Sequence, residues 1–107
     1  MEYIDYKDFE KLDLRIGKIK SVEEIENSEK LIKLKVDIGE EERQIVAGIK
    51  GAYSKEELLE RNIVVVINLK PITLMGEESN GMLLAASGEK PILLEVLSDV
   101  SPGTSVR

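Results

Sequence analysis

The residues best placed to meet a ligand are Asn68-Leu69-Lys70-Pro71, followed by Met75-Gly76-Glu77-Glu78-Ser79-Asn80-Gly81-Met82. Gly76 and Gly81 bracket two carboxylates, a hydroxyl and an amide, directly after the most apolar run of the chain, Ile63 to Ile67. A polar loop carried on a buried strand is where proteins commonly place function. The chemistry is constrained by what is missing. The 107 residues contain no His and no Cys, so the commonest general base, the best nucleophile and most transition-metal ligands are absent. Glu40-Glu41-Glu42 and Glu77-Glu78 read as charge runs on solvated turns rather than catalytic pairs. No glycine-rich loop ends in Gly-Lys-Ser/Thr, so no phosphate-cradling P-loop is present. Binding is the expectation, and catalysis and metal sites are not.

Charge then selects among binding partners. A net charge of -6 argues against indiscriminate nucleic-acid binding, yet its distribution is uneven. Residues 11 to 20 carry Lys11, Arg15, Lys18 and Lys20 against Asp13 alone, and Lys30, Lys33 and Lys35 follow. Lys33 and Lys35 project from one face of a strand, with Arg15 expected on the outer face of its neighbour. Taken alone, such lysines read as ordinary strand charges with cross-strand carboxylate partners. No aromatic platform accompanies them, since Tyr3, Tyr6 and Phe9 all fall in the first nine residues and Tyr53 precedes a helix. Base stacking of the usual single-strand type is therefore not expected.

The elements that must hold these residues follow from periodicity. Asp5 to Leu12 reads as a short amphipathic helix with Ile4, Phe9 and Leu12 on one side. Leu12, Leu14 and Ile16 then alternate with Asp13 and Arg15, and the phase slips after Gly17, as a bulge would produce. Ile32, Leu34, Val36 and Ile38 form the clearest half-buried strand, and Gly39 to Glu42 turns the chain into a third, Arg43 to Ile49. Ser54 and Glu57 form a capping box that opens a helix of about two turns to Arg61, with Tyr53 stapled on Leu58. Ile63 to Leu69 is the fourth strand, ended by Pro71, and Met82 to Ala86 the fifth. The expected fold is mainly β: a five-stranded OB barrel with a helix between strands 3 and 4. A short N-terminal helix and a C-terminal strand lie outside that count. We expect one domain over 1–107, with a barrel core at about 12–87 and terminal elements at about 1–11 and 88–107. The terminal elements carry Tyr3, Ile4, Phe9, Ile92, Leu94 and Val96, more apolar surface than one barrel end needs. They suit either plugs of the barrel or a two-fold dimer interface.

Several blocks together resemble the tRNA-binding OB domain of methionyl-tRNA synthetases. They are Asp8 to Ile19, Lys33 to Gly39, Arg43 to Ile49, Asn68 to Pro71 and Ser79 to Ala86, in order over nearly the whole chain. The resemblance implies a dimerising, non-catalytic module, without cofactor, that holds the outer corner of tRNA by shape. Its partners would be tRNA, a second copy and the catalytic part of the synthetase. It places the tRNA-binding surface on Arg15, Lys30, Lys33, Arg43, Asn68, Lys70, Ser79 and Met82. Asn68 and Ser79 would bond ribose or phosphate, the cations would supply charge, and Met82 an apolar contact. The same family includes free-standing tRNA-binding proteins and a peptide-binding chaperone, which stand as alternatives. The amino terminus has neither a basic nor an apolar run, so a cytoplasmic location is expected. Charged residues at 34% with a single Gln suggest a heat-adapted source.

Overall fold

Strict alternation of apolar and charged residues makes the centre of the fold. In strand β2 (Ile32–Asp37), Ile32, Leu34 and Val36 are buried while Lys33, Lys35 and Asp37 are half-exposed. The computed structural model describes residues 1–107. β2 lies between β1 (Leu14–Glu24) and β3 (Glu42–Ala47), antiparallel to both. β4 (Asn62–Val66) pairs with the first half of β1, after a one-turn helix α2 (Lys55–Leu58). The chain opens with helix α1 (Tyr6–Glu10). After β4 come the hairpin β5 (Ile72–Leu74) and β6 (Glu77–Ser79), then β7 (Met82–Leu83), which pairs with β4. A second hairpin, β8 (Ala85–Ser87) and β9 (Pro91–Leu93), precedes β10 (Ser105–Val106).

The main sheet runs β3-β2-β1-β4-β7, with β10 also on β1, and it curls around one core. Ile19, Leu34, Val36, Ile45, Leu58, Ile63 and Val65 are at most 0% exposed and pack together there. The protein is thus mainly β with short helices, a curled antiparallel sheet consistent with the expected OB-like barrel.

β1 explains how so long a strand can serve two neighbours. Its ladder with β4 is unbroken from Leu14↔Val66 to Lys18↔Asn62, while its ladder with β2 shifts between Ile19 and Ser21. The bulge therefore leaves Lys20 unpaired and does not fall at Gly17. Gly17 serves close packing instead: a Cβ there would lie 2.4 Å from Val36 Cγ1 and 3.2 Å from Val65 Cγ2. Opposed residues of an antiparallel pair share a face. Arg15 and Gly17 oppose the core residues Val65 and Ile63, so Leu14 and Ile16 point away from that core. Both are nonetheless buried, at 8% and 1% exposure, so β1 is covered on both faces.

Other expectations shift at element ends. The loop expected after Pro71 contains the β5–β6 hairpin, whose two-residue turn has Met75 at φ 51° and Gly76 at φ 80°. Two positive φ values give the turn that matches strand twist. The fifth strand expected over Met82 to Ala86 divides at Leu84, whose N–H donates to Val64 O at 3.0 Å and whose carbonyl accepts from Leu94 at 3.3 Å. The capping box at Ser54 is present in both directions, Ser54 N–H to Glu57 Oε1 at 2.8 Å and Glu57 N–H to Ser54 Oγ at 3.1 Å. The helix after it is shorter than the expected two turns. Glu60 N–H donates to Ile19 O at 2.8 Å and Ile19 N–H to Arg61 O at 3.0 Å, so pairing with β1 takes the chain out of the helix.

Candidate nucleic-acid interface

The curled sheet must be closed between β3 and the chain from β6 onward, and three polar side chains do it. Ser79, 4% exposed, accepts from Val46 N–H at 3.0 Å and donates to Gly81 O at 3.2 Å, so its hydroxyl stands in for a strand rung. Asn80 N–H donates to Gln44 O at 2.8 Å, and Gln44 Nε2 to Glu78 O at 2.9 Å. Arg43 spans the same seam, donating to Ile67 O at 3.0 Å and pairing with Glu41 at 2.6 Å. Gly81, at φ 135°, lies where a Cβ would meet Val66 O at 3.1 Å.

Asn68 makes a second joint. Its Oδ1 accepts from Asp13 N–H at 2.8 Å and its Nδ2 donates to Lys11 O at 2.6 Å, tying the N-terminal segment to the end of β4. Arg15 pairs with Asp13 at 2.6 Å and donates to Gly103 O at 3.4 Å. The hydrogen bond that Arg15 donates to Asp13, then the Asp13 charge, raises the Arg15 pKa above the ordinary guanidinium value. Arg15 thus lies on the core-facing side of β1, at the barrel end, not on the outer face expected beside Lys33.

The outer face of β2 carries the other group. Lys33 Nζ is 3.2 Å from Glu77 Oε1 and 3.6 Å from Glu23 Oε2. The hydrogen bond to Glu77 raises its pKa, against desolvation, so its charge persists beyond the usual lysine range. Lys35 Nζ donates to Gln44 Oε1 at 2.9 Å. The cross-strand carboxylate expected for a strand lysine is present at Glu23, and a second one comes from the hairpin. Lys30 and Lys70 are exposed, and neither takes part in an ion pair. Met82, paired with Val66, is 47% exposed, and Leu69, Ile72 and Met75 are 40%, 56% and 54% exposed.

The eight expected contact residues therefore separate into a barrel end (Arg15, Asn68), a seam (Arg43, Ser79), the β2 face (Lys33) and exposed positions (Lys30, Lys70, Met82). Asn68 and Ser79 spend on the protein itself the polar atoms that were expected to reach RNA.

Over residues 14–105 the chain matches the family described as "Putative tRNA binding domain". The chain belongs to the tRNA-binding domain family. A methionine–tRNA ligase of Methanococcus vannielii is 48% identical over 107 residues, which is 99% of this chain and 16% of that protein. The chain thus spans about one sixth of the length of the curated relatives it matches. A MetRS-related protein from Pyrococcus horikoshii has the same fold at TM-score 0.93 and 42% identity, covering 100% of both chains. The chaperone CsaA of Bacillus anthracis matches at TM-score 0.89 and 30% identity, over 99% of this chain and 100% of its own.

In this tRNA-binding domain, sequence reasoning missed Gln44 and Glu77 as partners in the polar network. Counting the β2–β3 hairpin outward from Gly39 would have set Gln44 opposite Lys35, as the ladder does. Nothing local marks Glu77, because 44 residues separate it from Lys33. The residues expected at a dimer interface are open to solvent: Tyr3 is 87%, Ile4 67%, Ile92 44% and Leu94 42% exposed, while Phe9 and Val96 are half-buried. Phe9, Leu12, Leu14 and Val106 line a cleft of about 370 Å³ between α1 and β10. No helix is long and apolar enough to cross a membrane.

Proposed function

We propose that this domain holds folded tRNA by charge and shape and performs no chemistry itself. Membership of the tRNA-binding family across residues 14–105 is the observation that carries this reading. Lys30, Lys33 and Lys70, with Met82 beside the hairpin, are the contact residues, and the ligand is the outer corner of the tRNA. Arg15, Arg43, Asn68 and Ser79 hold together the elements that carry the surface, as their internal hydrogen bonds favour. The module works in the cytoplasm with the catalytic part of a methionine–tRNA ligase, whether joined to it or separate. Its contribution is local concentration: a weak tRNA site beside an active site makes the second contact intramolecular. Two copies pair through the exposed apolar terminal segments.

Binding to unfractionated tRNA, followed by mobility shift as salt is varied, tests this reading against an unstructured RNA of equal length. Neutralising about five phosphates lowers affinity by roughly two to three decades between about 50 and 200 mM salt. A second reading, a chaperone-like peptide binder, is favoured by the likeness to CsaA and by the exposed Ile72, Met75 and Met82. Apolar peptide binding would change little with salt. Equal affinity for both RNAs at low salt would refute the tRNA reading.

A further inference from the structure

Lys33 is a largely enclosed cation of the outer face, its side chain 20% exposed, and it is already paired in the free protein. Its two carboxylates differ in origin. Glu23 is its direct cross-strand neighbour in the β1–β2 ladder, whereas Glu77 comes from the β5–β6 hairpin. Glu77 makes the closer contact, 3.2 Å against 3.6 Å, and Gln44 Nε2 also donates to Glu77 Oε1 at 3.4 Å. A carboxylate gripped by a lysine and an amide presents its oxygens as a phosphate would, with charge-assisted bonds of the same kind. Glu77 is 34% exposed and sits on a flexible stem, so water and solutes reach the pair. Because Lys33 stays charged, exchange of one anion for another is the only change needed for a phosphate to take the place of Glu77.

We propose that Glu77 is an intramolecular stand-in for an RNA phosphate: it occupies Lys33 in the free protein and must be displaced when the backbone of tRNA docks there. The proposal rests on the tRNA-binding reading and adds to it a residue that sets the threshold for binding. A polyanion gains from Lys33 only the difference between its own contact and that of Glu77. Ligands that bind elsewhere on the surface pay no such cost. This chain has a net charge of -6, and Glu77 would let Lys33 remain neutralised until a suitable phosphate arrives.

The test is titration of tRNA against wild type, Glu77→Gln, Glu78→Gln, Lys33→Gln and the Lys33→Gln/Glu77→Gln double variant at one low salt concentration. Glu78 is the matched control: it changes net charge equally, is exposed, and its carboxylate makes no ion pair. Glu77→Gln should tighten binding about two- to fivefold, the worth of one partly exposed ion pair. Glu78→Gln should change it less, and the gain should vanish in the Lys33→Gln background. Glu77→Thr, suited to a strand, repeats the test if glutamine disturbs the hairpin. A Glu77 variant no tighter than Glu78→Gln, or an equal gain without Lys33, overturns the proposal while leaving tRNA binding intact. Absence of tRNA binding in every variant overturns the tRNA reading itself, and the proposal with it.

Discussion

Ser79→Ala separates two roles for one hydroxyl. In the structure Ser79 Oγ accepts from Val46 N–H at 3.0 Å and donates to Gly81 O at 3.2 Å, in a position 4% exposed. Removing it leaves the buried Val46 amide donor without its partner. An unpaired buried group costs about 1–3 kcal/mol, so a loss of about 2 kcal/mol is expected. Unfolding entropy of about 2.1 cal/mol/K per residue gives roughly 0.22 kcal/mol/K for a chain of this length, and hence a fall in Tm of about 9 °C. Thermal melts followed by circular dichroism measure the shift, and amide exchange at Val46 should accelerate at the same time. tRNA affinity, measured well below the melting range, should change little. A Tm within about 2 °C of wild type, together with lost tRNA binding, would refute the reasoning. The hydroxyl would then serve the ligand, and the seam would be held by Asn80 and Gln44 without it.

The capping box carries a pH signature. The hydrogen bond from Ser54 N–H lowers the Glu57 pKa, so its stabilisation is present above the unfolded carboxylate value and is lost as pH falls through the folded one. Chemical denaturation of wild type and Glu57→Gln should accordingly show a stability difference at neutral pH that shrinks on acidification, and a difference independent of pH would count against it. Ser54→Ala should cost about 1 kcal/mol near neutrality by the same assay. Sedimentation tests the terminal segments: wild type should be dimeric, and Ile4→Glu with Leu94→Glu should shift it to monomer without unfolding, whereas a monomeric wild type at high concentration removes the dimer.

Much of the fold was legible because its signals are local. The alternation from Ile32 to Ile38 identifies β2 without knowledge of any neighbour, and Ser54 and Glu57 are spaced so that one turn of helix brings their groups together. The phase slip in β1 signalled a distortion but could not locate it. Gly17 is demanded by Val36 on another strand, while the unpaired residue is Lys20, three positions on. The length of α2 was likewise set from outside, by the bonds between Ile19 and residues 60 and 61. The β5–β6 turn was hidden because its first residue is Met75, which has no intrinsic taste for positive φ.

Composition alone removed histidine and cysteine chemistry, and the ordered blocks pointed to the tRNA-binding family that the comparisons support. The number of basic residues was likewise legible in the sequence; which of them are free to meet a ligand was not. Arg15, Lys33 and Arg43 look alike as cations in a strand, yet each is paired, at 2.6, 3.2 and 2.6 Å, with Asp13, Glu77 and Glu41. Asn68 and Ser79 look like polar loop residues, yet they bond to residues 11, 13 and 46. Arg15 and Arg43 take partners only two residues away in the chain, but Lys33 with Glu77, Asn68 with residues 11 and 13, and Ser79 with Val46 are joined only when the sheet closes, because hydrogen bonds and ion pairs act over about 3–4 Å.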